Sequence, residues 1–374
     1  MYKGDFARMG YLFRHCNGEY IDKFEEVNGI TVSDYLEIMV ALWIYMENNP
    51  KNIYVDYKFY LKTTGFPEET IEIFLGLISR TKNELKEELE AQDKVIAHPL
   101  LKFGEHTPLF RYPMLKVKED SYVLYGKTLL KRALCLNLFE FTKGHSGEDG
   151  IQDFASNFEN YVGELLRTSG AEFIREDEIS GKYGGKQTDF LIHEDSLSIM
   201  VEVKSIRLSD IARANPTNKT IPNALEDNVI KAIFQGHELS NRLYEEDETR
   251  KFVLIVVAYD DLFLGPPSDA WDYYLKDSVE AKFESGEYEK GKLDPEDIFM
   301  VSAREFEKIC THRKNLGGFS SIIESALKDN AEAQTKKMTL SMSCPEGNVE
   351  EGLCVIDQNH WDLWENIIKR VVVV

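Results

Sequence analysis

The strongest constraint on the fold is a short apolar segment, KFVLIVVAY, at Lys251–Tyr259. Every residue from Phe252 to Ala258 is apolar. A run this short and this continuous is typical of a β-strand that is covered on both faces, as happens when helices pack on either side of a sheet. The segment before it, at 221–244, has apolar residues on one face at helical spacing. Together the two segments predict a helix followed by a central strand of a layered α/β structure.

The neighbouring segments predict the order of the other helices and strands. A helix is expected over 146–170, because apolar residues recur there at helical spacing and Gly170 suits a helix C-terminus. AEFIREDEI at 171–179 predicts a strand, and SGKYGG at 180–185 predicts a glycine-rich loop. Two more strands are expected in TDFLIHEDSLSIMVEVK, at 188–204. The order α-β-β-β-α-β indicates an α/β or α+β fold with a central mixed sheet.

The chain divides by sequence into three regions. Residues 1–145 are expected to form a mainly helical domain for substrate binding, partner binding or regulation. Residues 146–312 are expected to form the domain with the strand order above, and residues 313–374 a C-terminal appendage. In the outer regions the patterns predict helices over 33–49, 67–92, 320–330 and 359–370, a hairpin over 111–126 and a strand over 352–357.

The segment 188–204 carries three charged residues in an apolar context: Asp189, Glu202 and Lys204. Charged groups resist burial unless something pairs with them. Side chains alternate between the two faces of a strand, so Glu202 and Lys204 share a face. A four-residue turn, HEDS, would place Asp189 opposite Met200 on that same face, and any turn of even length keeps it on that face.

Two carboxylates on neighbouring strands can share one divalent cation. Diagonal neighbours lie roughly 7–8 Å apart at Cα and closer at their tips. Oxygen ligands of this kind suit Mg²⁺ or Mn²⁺. Lys204 would then orient or deprotonate a water at the ion, or stabilise charge at phosphorus. The alternative reading is a surface ion network made by Asp189, Glu202 and Lys204.

The pattern of Asp189, then twelve residues, then Glu202-Val203-Lys204 resembles the PD-(D/E)XK nuclease superfamily, which has the restriction-endonuclease-like fold. The resemblance covers about residues 150–260. It implies an αβββαβ core with a central mixed sheet. It also implies that Asp189 and Glu202 bind Mg²⁺ or Mn²⁺ with the carbonyl of Val203 as a third ligand, and that Lys204 is the catalytic lysine.

Two residues outside the hairpin match further positions of the superfamily. Glu159, in the helix FENYVGELLRTSG, matches the acid of the opening helix and would contact the metal directly or through water. Gln235, in KAIFQGHELSNRLY, matches the glutamine of the crossover helix and would hold Lys204 or a phosphate. One position departs from the pattern, because Thr188 stands where the superfamily usually has proline.

The resemblance implies a metal-dependent nuclease acting on nucleic acid, with DNA favoured over RNA. By analogy of architecture it points to restriction or anti-phage defence. Lys182, Lys186 and Arg207 are the basic residues nearest to the site in sequence, and they would grip the nucleic-acid backbone. The alternative function is that of a catalytically inactive nuclease-fold module used for nucleic-acid binding or complex assembly.

The charge of the chain restricts how it meets a nucleic acid. The net charge is −21, which opposes loose electrostatic binding to phosphates. Residues 181–220 hold six basic and five acidic residues, a balance of +1, so the rest of the chain carries −22. The site thus lies in the least acidic part of an acidic chain, and a homo-oligomer or a partner protein is expected to bring the substrate.

The composition predicts a cytoplasmic protein with no membrane segment. No run of about 18 apolar residues is present, and the N-terminus lacks the apolar region of a signal peptide. The five cysteines are scattered and include no C-x-x-C, which argues against a disulfide framework or a zinc finger.

Overall fold

The computed structural model describes residues 3–50, 54–95, 107–209, 212, 217, 219–344 and 353–372. The chain forms two compact units. The first takes in residues 1–157 and 356–374, and the second takes in residues 158–355. The first predicted boundary, at 145/146, is thus placed at 157/158, and the predicted C-terminal appendage is shared between the two units.

The first unit is mainly helical and contains a small sheet. Its strands are β1 (Tyr54–Val55), β2 (Ser79–Thr81), β3 (Met114–Lys118) and β4 (Ser121–Leu124), in the order β1-β4-β3-β2. Strands β2 and β3 are parallel, whereas the other neighbours are antiparallel. The helices are α1 (Lys3–Gly10), α2 (Glu19–Asn28), α3 (Val32–Asn48), α4 (Tyr57–Thr63), α5 (Glu68–Ile78), α6 (Lys82–Val95), α7 (Lys127–His145), the start of α8 (Gly147–Thr168), and the C-terminal helix Cys354–Val372.

These bounds confirm the helix predicted over 33–49 and the hairpin predicted over 111–126. The single helix predicted over 67–92 is wrong, because β2 interrupts it. The hydroxyl of Thr81 accepts from the backbone N–H of Glu84 at 3.3 Å, and the Glu84 carboxylate accepts from the N–H of Thr81 at 2.7 Å. This reciprocal pair is a capping box, which starts a new helix at α6.

The strand predicted over 352–357 is also wrong, because the helix Cys354–Val372 begins within it. A short apolar run such as LCVI does not by itself distinguish a strand from a helix. No single helix in the described residues is long and apolar enough to span a membrane. Within the described part of the chain, one bent pair, α2 and α3, with 73° between the two helices, passes that test of length and composition jointly.

The second unit is built on a five-stranded mixed sheet. Its strands are β5 (Phe173–Arg175), β6 (Phe190–Glu194), β7 (Leu197–Lys204), β8 (Lys251–Ala258) and β9 (Ile298–Ser302), and they neighbour one another in chain order. The first three are antiparallel, whereas β7, β8 and β9 run parallel. The predicted mixed sheet is therefore present, with one helix more than predicted between its first two strands.

Helices cover both faces of this sheet. They are the end of α8, α9 (Glu176–Tyr183), α10 (Thr220–Leu225), α11 (Lys231–Glu246), α12 (Pro267–Ala270), α13 (Lys276–Glu284), α14 (Ala303–Leu316) and α15 (Phe319–Asn330). On one face Met200 and Val256 join a core that includes Ile233 of α11. On the other face α8 packs so closely that a methyl group at Gly163 would lie 3.2 Å from the Phe190 ring. Strand β8 is buried from Phe252 to Ala258, as expected for a strand covered on both faces.

The strand predicted over 171–179 is shorter than expected. Only β5 is extended, and α9 replaces the rest of the strand and part of the predicted loop. Three acidic residues, Glu176, Asp177 and Glu178, form the first turn of α9, where negative charge favours a helix. Gly184 then ends the helix with a φ of 65°.

Candidate metal centre

The turn between β6 and β7 fixes which residues face one another in the hairpin. It consists of Asp195 and Ser196, because Glu194 still pairs with Leu197. Asp195 adopts a φ of 50°, a conformation that aspartate tolerates in tight turns. The predicted four-residue turn is therefore wrong, and the register differs from the predicted one by two residues.

The shift brings the two predicted carboxylates closer together. Leu191, not Asp189, pairs with Met200, and the last pair of the ladder is Phe190 with Val201. One step beyond that pair, Asp189 comes beside Glu202. The turn has an even length, so Asp189, Glu202 and Lys204 share a face as the alternation predicts.

The Asp189 carboxylate is held by the backbone of β7. Its Oδ2 accepts a hydrogen bond from the N–H of Val203 at 2.6 Å. In an extended strand the carbonyl of a residue points to the same side as its N–H, so the Val203 carbonyl faces this side too. Burial raises the pKa of Asp189 well above its ordinary value, and the nearby charge of Glu202 adds to that rise. The site therefore disfavours two negative charges when no cation is bound.

Glu202 is buried, with only 1% of its surface exposed. Its Oε1 forms an ion pair with Lys204 Nζ. Its Oε2 is buried and has no hydrogen-bond partner among the described residues. Burial raises the pKa of Glu202, and the Lys204 charge partly offsets the rise. A buried carboxylate oxygen without a partner is costly, so this atom is the natural point for a cation to bind.

Lys204 lies at the end of β7, where the backbone is well anchored. Its carbonyl accepts hydrogen bonds from the N–H of Ile206 at 2.7 Å and from the N–H of Tyr259 at 3.1 Å. The second bond ties the end of β7 to the residue that follows β8. The Lys204 side chain is therefore held at the carboxyl end of two parallel strands, beside Glu202.

Glu159 of α8 lies within electrostatic range of Asp189 and Lys204. Burial raises the pKa of Glu159, and the Glu176 charge raises it further, whereas Arg175 and Lys204 oppose the rise. Within the described ranges, no three His, Cys, Asp or Glu side chains converge at metal-ligating distance. Glu159 therefore belongs to the electrostatic surroundings of Asp189 and Lys204.

Gln235 of α11 contacts the segment that leads into β6 and not Lys204. Its Nε2 donates to the carbonyl of Gln187 at 2.6 Å, two residues before Asp189. Its Oε1 is buried and has no partner in the described part of the chain. In this structure Gln235 therefore positions the backbone that leads into Asp189.

The three predicted nucleic-acid-binding residues are engaged within the protein. Lys182 is exposed but forms an ion pair with Glu246 at 2.7 Å. The Lys186 ammonium is exposed and lies 4.9 Å from the centre of the Tyr288 ring. Only 9% of the Arg207 side chain is exposed, and its Nε lies 3.5 Å from the Asp260 carboxylate. Of the three, Lys186 is the best placed to meet a phosphate.

Glu176 was missed by the sequence analysis. Strand β5 pairs with β6 through Arg175 and Phe190, so the next residue, Glu176, comes beside Asp189. The backbone N–H of Glu176 donates to the Asp189 carbonyl at 3.0 Å. The available signal was an acidic residue directly after a strand that is antiparallel to β6.

The residues present fit a small divalent cation. Mg²⁺ retains several waters and is commonly held by one or two carboxylates together with substrate phosphates. Asp189 and Glu202 supply two carboxylates, the Val203 carbonyl faces them, and Glu202 Oε2 is free to ligate. A site of this kind needs no third protein carboxylate in direct contact with the ion.

A scan against protein-family models finds no match to this chain, and a search of curated proteins finds no significant relative. Function is therefore inferred from the chemistry of the site residues.

Proposed function

We propose that this chain is a Mg²⁺- or Mn²⁺-dependent nuclease of the PD-(D/E)XK type, with a restriction-endonuclease-like core formed by α8, β5 to β8 and α11. It hydrolyses phosphodiester bonds in nucleic acid, with DNA favoured over RNA. The observation that carries the proposal is the buried Glu202 carboxylate, which has one oxygen on Lys204 and the other unpartnered, beside Asp189. A restriction or anti-phage role in the cytoplasm is part of the same proposal.

Asp189, Glu202 and the Val203 carbonyl would hold the ion, which supplies positive charge and lowers the pKa of a bound water. The Val203 N–H fixes the orientation of the Asp189 carboxylate before an ion arrives. With an ion at the carboxylates, Lys204 would no longer be needed to compensate Glu202. Its ammonium would then stabilise the negative charge that develops on the phosphate oxygens when water attacks phosphorus.

The positions of Glu159 and Gln235 are consistent with the same reaction. Glu159 lies within electrostatic reach of Asp189 and Lys204, and it orients water on that side. Gln235 holds the carbonyl of Gln187 and so fixes the start of the strand that carries Asp189. Both act by positioning and not by contact with the scissile phosphate.

The test is a cleavage assay with the full chain. Single- and double-stranded DNA and RNA are incubated with Mg²⁺, Mn²⁺ or EDTA, using wild type, Asp189→Asn and Lys204→Ala. Glu178→Gln, an exposed acid in α9, serves as the control. Cutting that needs metal and is lost in both site variants supports the proposal. Metal-dependent cutting that survives both substitutions contradicts the site assignment.

A second candidate is a nuclease-fold module that binds or assembles without cutting. The observation in its favour is that two of the three basic residues nearest to the site, Lys182 and Arg207, form ion pairs within the protein, and the Arg207 side chain is almost fully buried. Intact nucleic-acid binding with no cutting under any metal condition is the result that favours this candidate.

A further inference from the structure

Three acidic residues come side by side at one end of the sheet: Glu176 opens α9 directly after β5, Asp189 precedes β6, and Glu202 lies in β7. The pairs Arg175 with Phe190 and Phe190 with Val201 fix the register on both sides of β6. Glu176 follows Arg175, Asp189 precedes Phe190, and Glu202 follows Val201. Because neighbouring strands are antiparallel, these three residues come side by side in a row. Residues directly opposite one another in a sheet project from the same face. Glu176 therefore flanks Asp189 on the side away from Glu202.

Glu176 differs from the other two acids in its exposure. Its side chain is exposed, whereas Asp189 is partly buried and Glu202 is buried. It has no side-chain hydrogen bond or ion pair to any described residue. Its backbone is fixed, because its N–H donates to the Asp189 carbonyl at 3.0 Å. The Glu176 backbone is thus fixed by a hydrogen bond, whereas its carboxylate is exposed to solvent at the edge of the row.

The unpartnered Oε2 of the buried Glu202 is a separate observation that points to a ligand at this row. No three of these carboxylates converge directly within the described residues, so a third carboxylate would act through a water. Mg²⁺ keeps several waters when it binds to proteins, which leaves room for such a contact.

We propose that Glu176 is a third carboxylate of the cation site, and that it holds a water of the bound ion from the solvent side of the row Glu176, Asp189, Glu202. The inference rests on the proposed function, because it assigns a role at the same site. Glu176 is a positioning residue in this account, and its effect is on ion affinity before any nucleic acid is present.

The test measures Mn²⁺ binding to the full chain by electron paramagnetic resonance, without nucleic acid. Loss of a group that orients a metal ligand typically lowers affinity by 10-fold or more, so Glu176→Gln is expected to weaken Mn²⁺ binding about 10-fold. The control is Glu178→Gln, which removes the same charge from the same helical turn and is expected to bind like wild type. Glu176→Asp keeps the charge and is expected to give an intermediate affinity.

The outcomes separate this inference from the proposed function. Equal Mn²⁺ affinity in Glu176→Gln and Glu178→Gln overturns the role of Glu176 while leaving the site of Asp189 and Glu202 intact. No Mn²⁺ binding by wild type, or unchanged binding in Asp189→Asn, overturns both. Circular dichroism checks that each variant is folded, and Glu176→Asp decides the test if Glu176→Gln does not fold.

Discussion

At the scale of single residues, the site is a compromise between folding and function. Asp189 and Glu202 both have raised pKa values, because burial disfavours the charged forms, and the Glu202 charge adds to the rise at Asp189. Such groups destabilise the metal-free protein at neutral pH, and a bound cation would remove that cost. Buried, mutually repelling carboxylates of this kind are typical of functional sites.

The first prediction concerns the pH dependence of stability without metal. The unfolded chain loses the Asp189 proton in the ordinary carboxyl range, whereas the folded chain keeps it to higher pH. The folded state therefore binds more protons in that window, and the free energy of unfolding falls as pH rises through it. Asp189→Asn should flatten this decline and raise the Tm in EDTA at neutral pH by a few degrees, on the order expected for a change of about 1–2 kcal/mol.

Thermal unfolding in EDTA across pH 4 to 8 checks this prediction, with Glu178→Gln as the control. Adding Mn²⁺ should raise the Tm of wild type but not that of Asp189→Asn. A variant that is less stable than wild type in EDTA at neutral pH would show that Asp189 is an ordinary stabilising carboxylate.

The second prediction concerns Lys204. Removing its ammonium takes away the side-chain donor that pairs with Oε1 of the buried Glu202 carboxylate. Lys204→Ala should destabilise the metal-free protein by about 1–3 kcal/mol, the cost of a buried group left unsatisfied. Urea unfolding with and without Mn²⁺ measures the free energy of unfolding of both proteins. Saturating Mn²⁺ should reduce the difference between wild type and Lys204→Ala. A difference that stays the same in Mn²⁺ would mean that the ion does not bind at Glu202.

At the scale of helices and strands, α11 fixes the position of the segment that leads into β6. Gln235 bonds to the Gln187 carbonyl just before Asp189. Gln235→Ala should cost about 1 kcal/mol of stability and lower the cleavage rate with little change in Mn²⁺ affinity, because the ligands remain. Cleavage and Mn²⁺ binding measured on the same preparation test this. Glu245→Ala, at an exposed position later in α11, provides the comparison, and equal cleavage losses in both variants would count against a specific role for Gln235.

Much of the second unit could be predicted from the sequence because its elements have strong periodic patterns. The apolar run in β8 and the alternation in β7 predict the central strands, and the charged face of β7 predicts the candidate site, without any long-range information. The register of the hairpin could not be predicted, because the alternation of faces is satisfied equally by any even turn. The role of Glu176 depends on that register and on the pairing of β5 with β6, so it appears only in the folded structure.

The errors in the first unit have a similar origin. The charge-rich helix over 67–92 looked continuous because the capping box at Thr81 and Glu84 lies inside a helix-favouring composition. The short strand β2 forms there because it pairs with β3, more than 30 residues away along the chain. Tertiary pairing of this kind overrides local propensity and is not visible in one segment.

At the scale of the whole molecule, the net charge of −21 opposes the proposed substrate. The carboxylates of the site add to this repulsion when no cation is bound. In EDTA at low salt, Asp189→Asn should bind duplex DNA about fivefold more tightly than wild type, since one charge near a phosphate contributes about 1 kcal/mol in water. Fluorescence anisotropy over a salt series measures this, and the gain should fade as salt screens the charge. Equal affinity for wild type and variant at low salt would place the DNA elsewhere on the protein.

The most direct test of the central claim is an anomalous difference map from crystals of the full chain soaked in Mn²⁺. We expect one peak between Asp189 and Glu202, about 2.1 Å from an oxygen of each and facing the Val203 carbonyl, and no peak in Asp189→Asn crystals. A wild-type map with no peak at these carboxylates, or a peak that survives in Asp189→Asn, would contradict it.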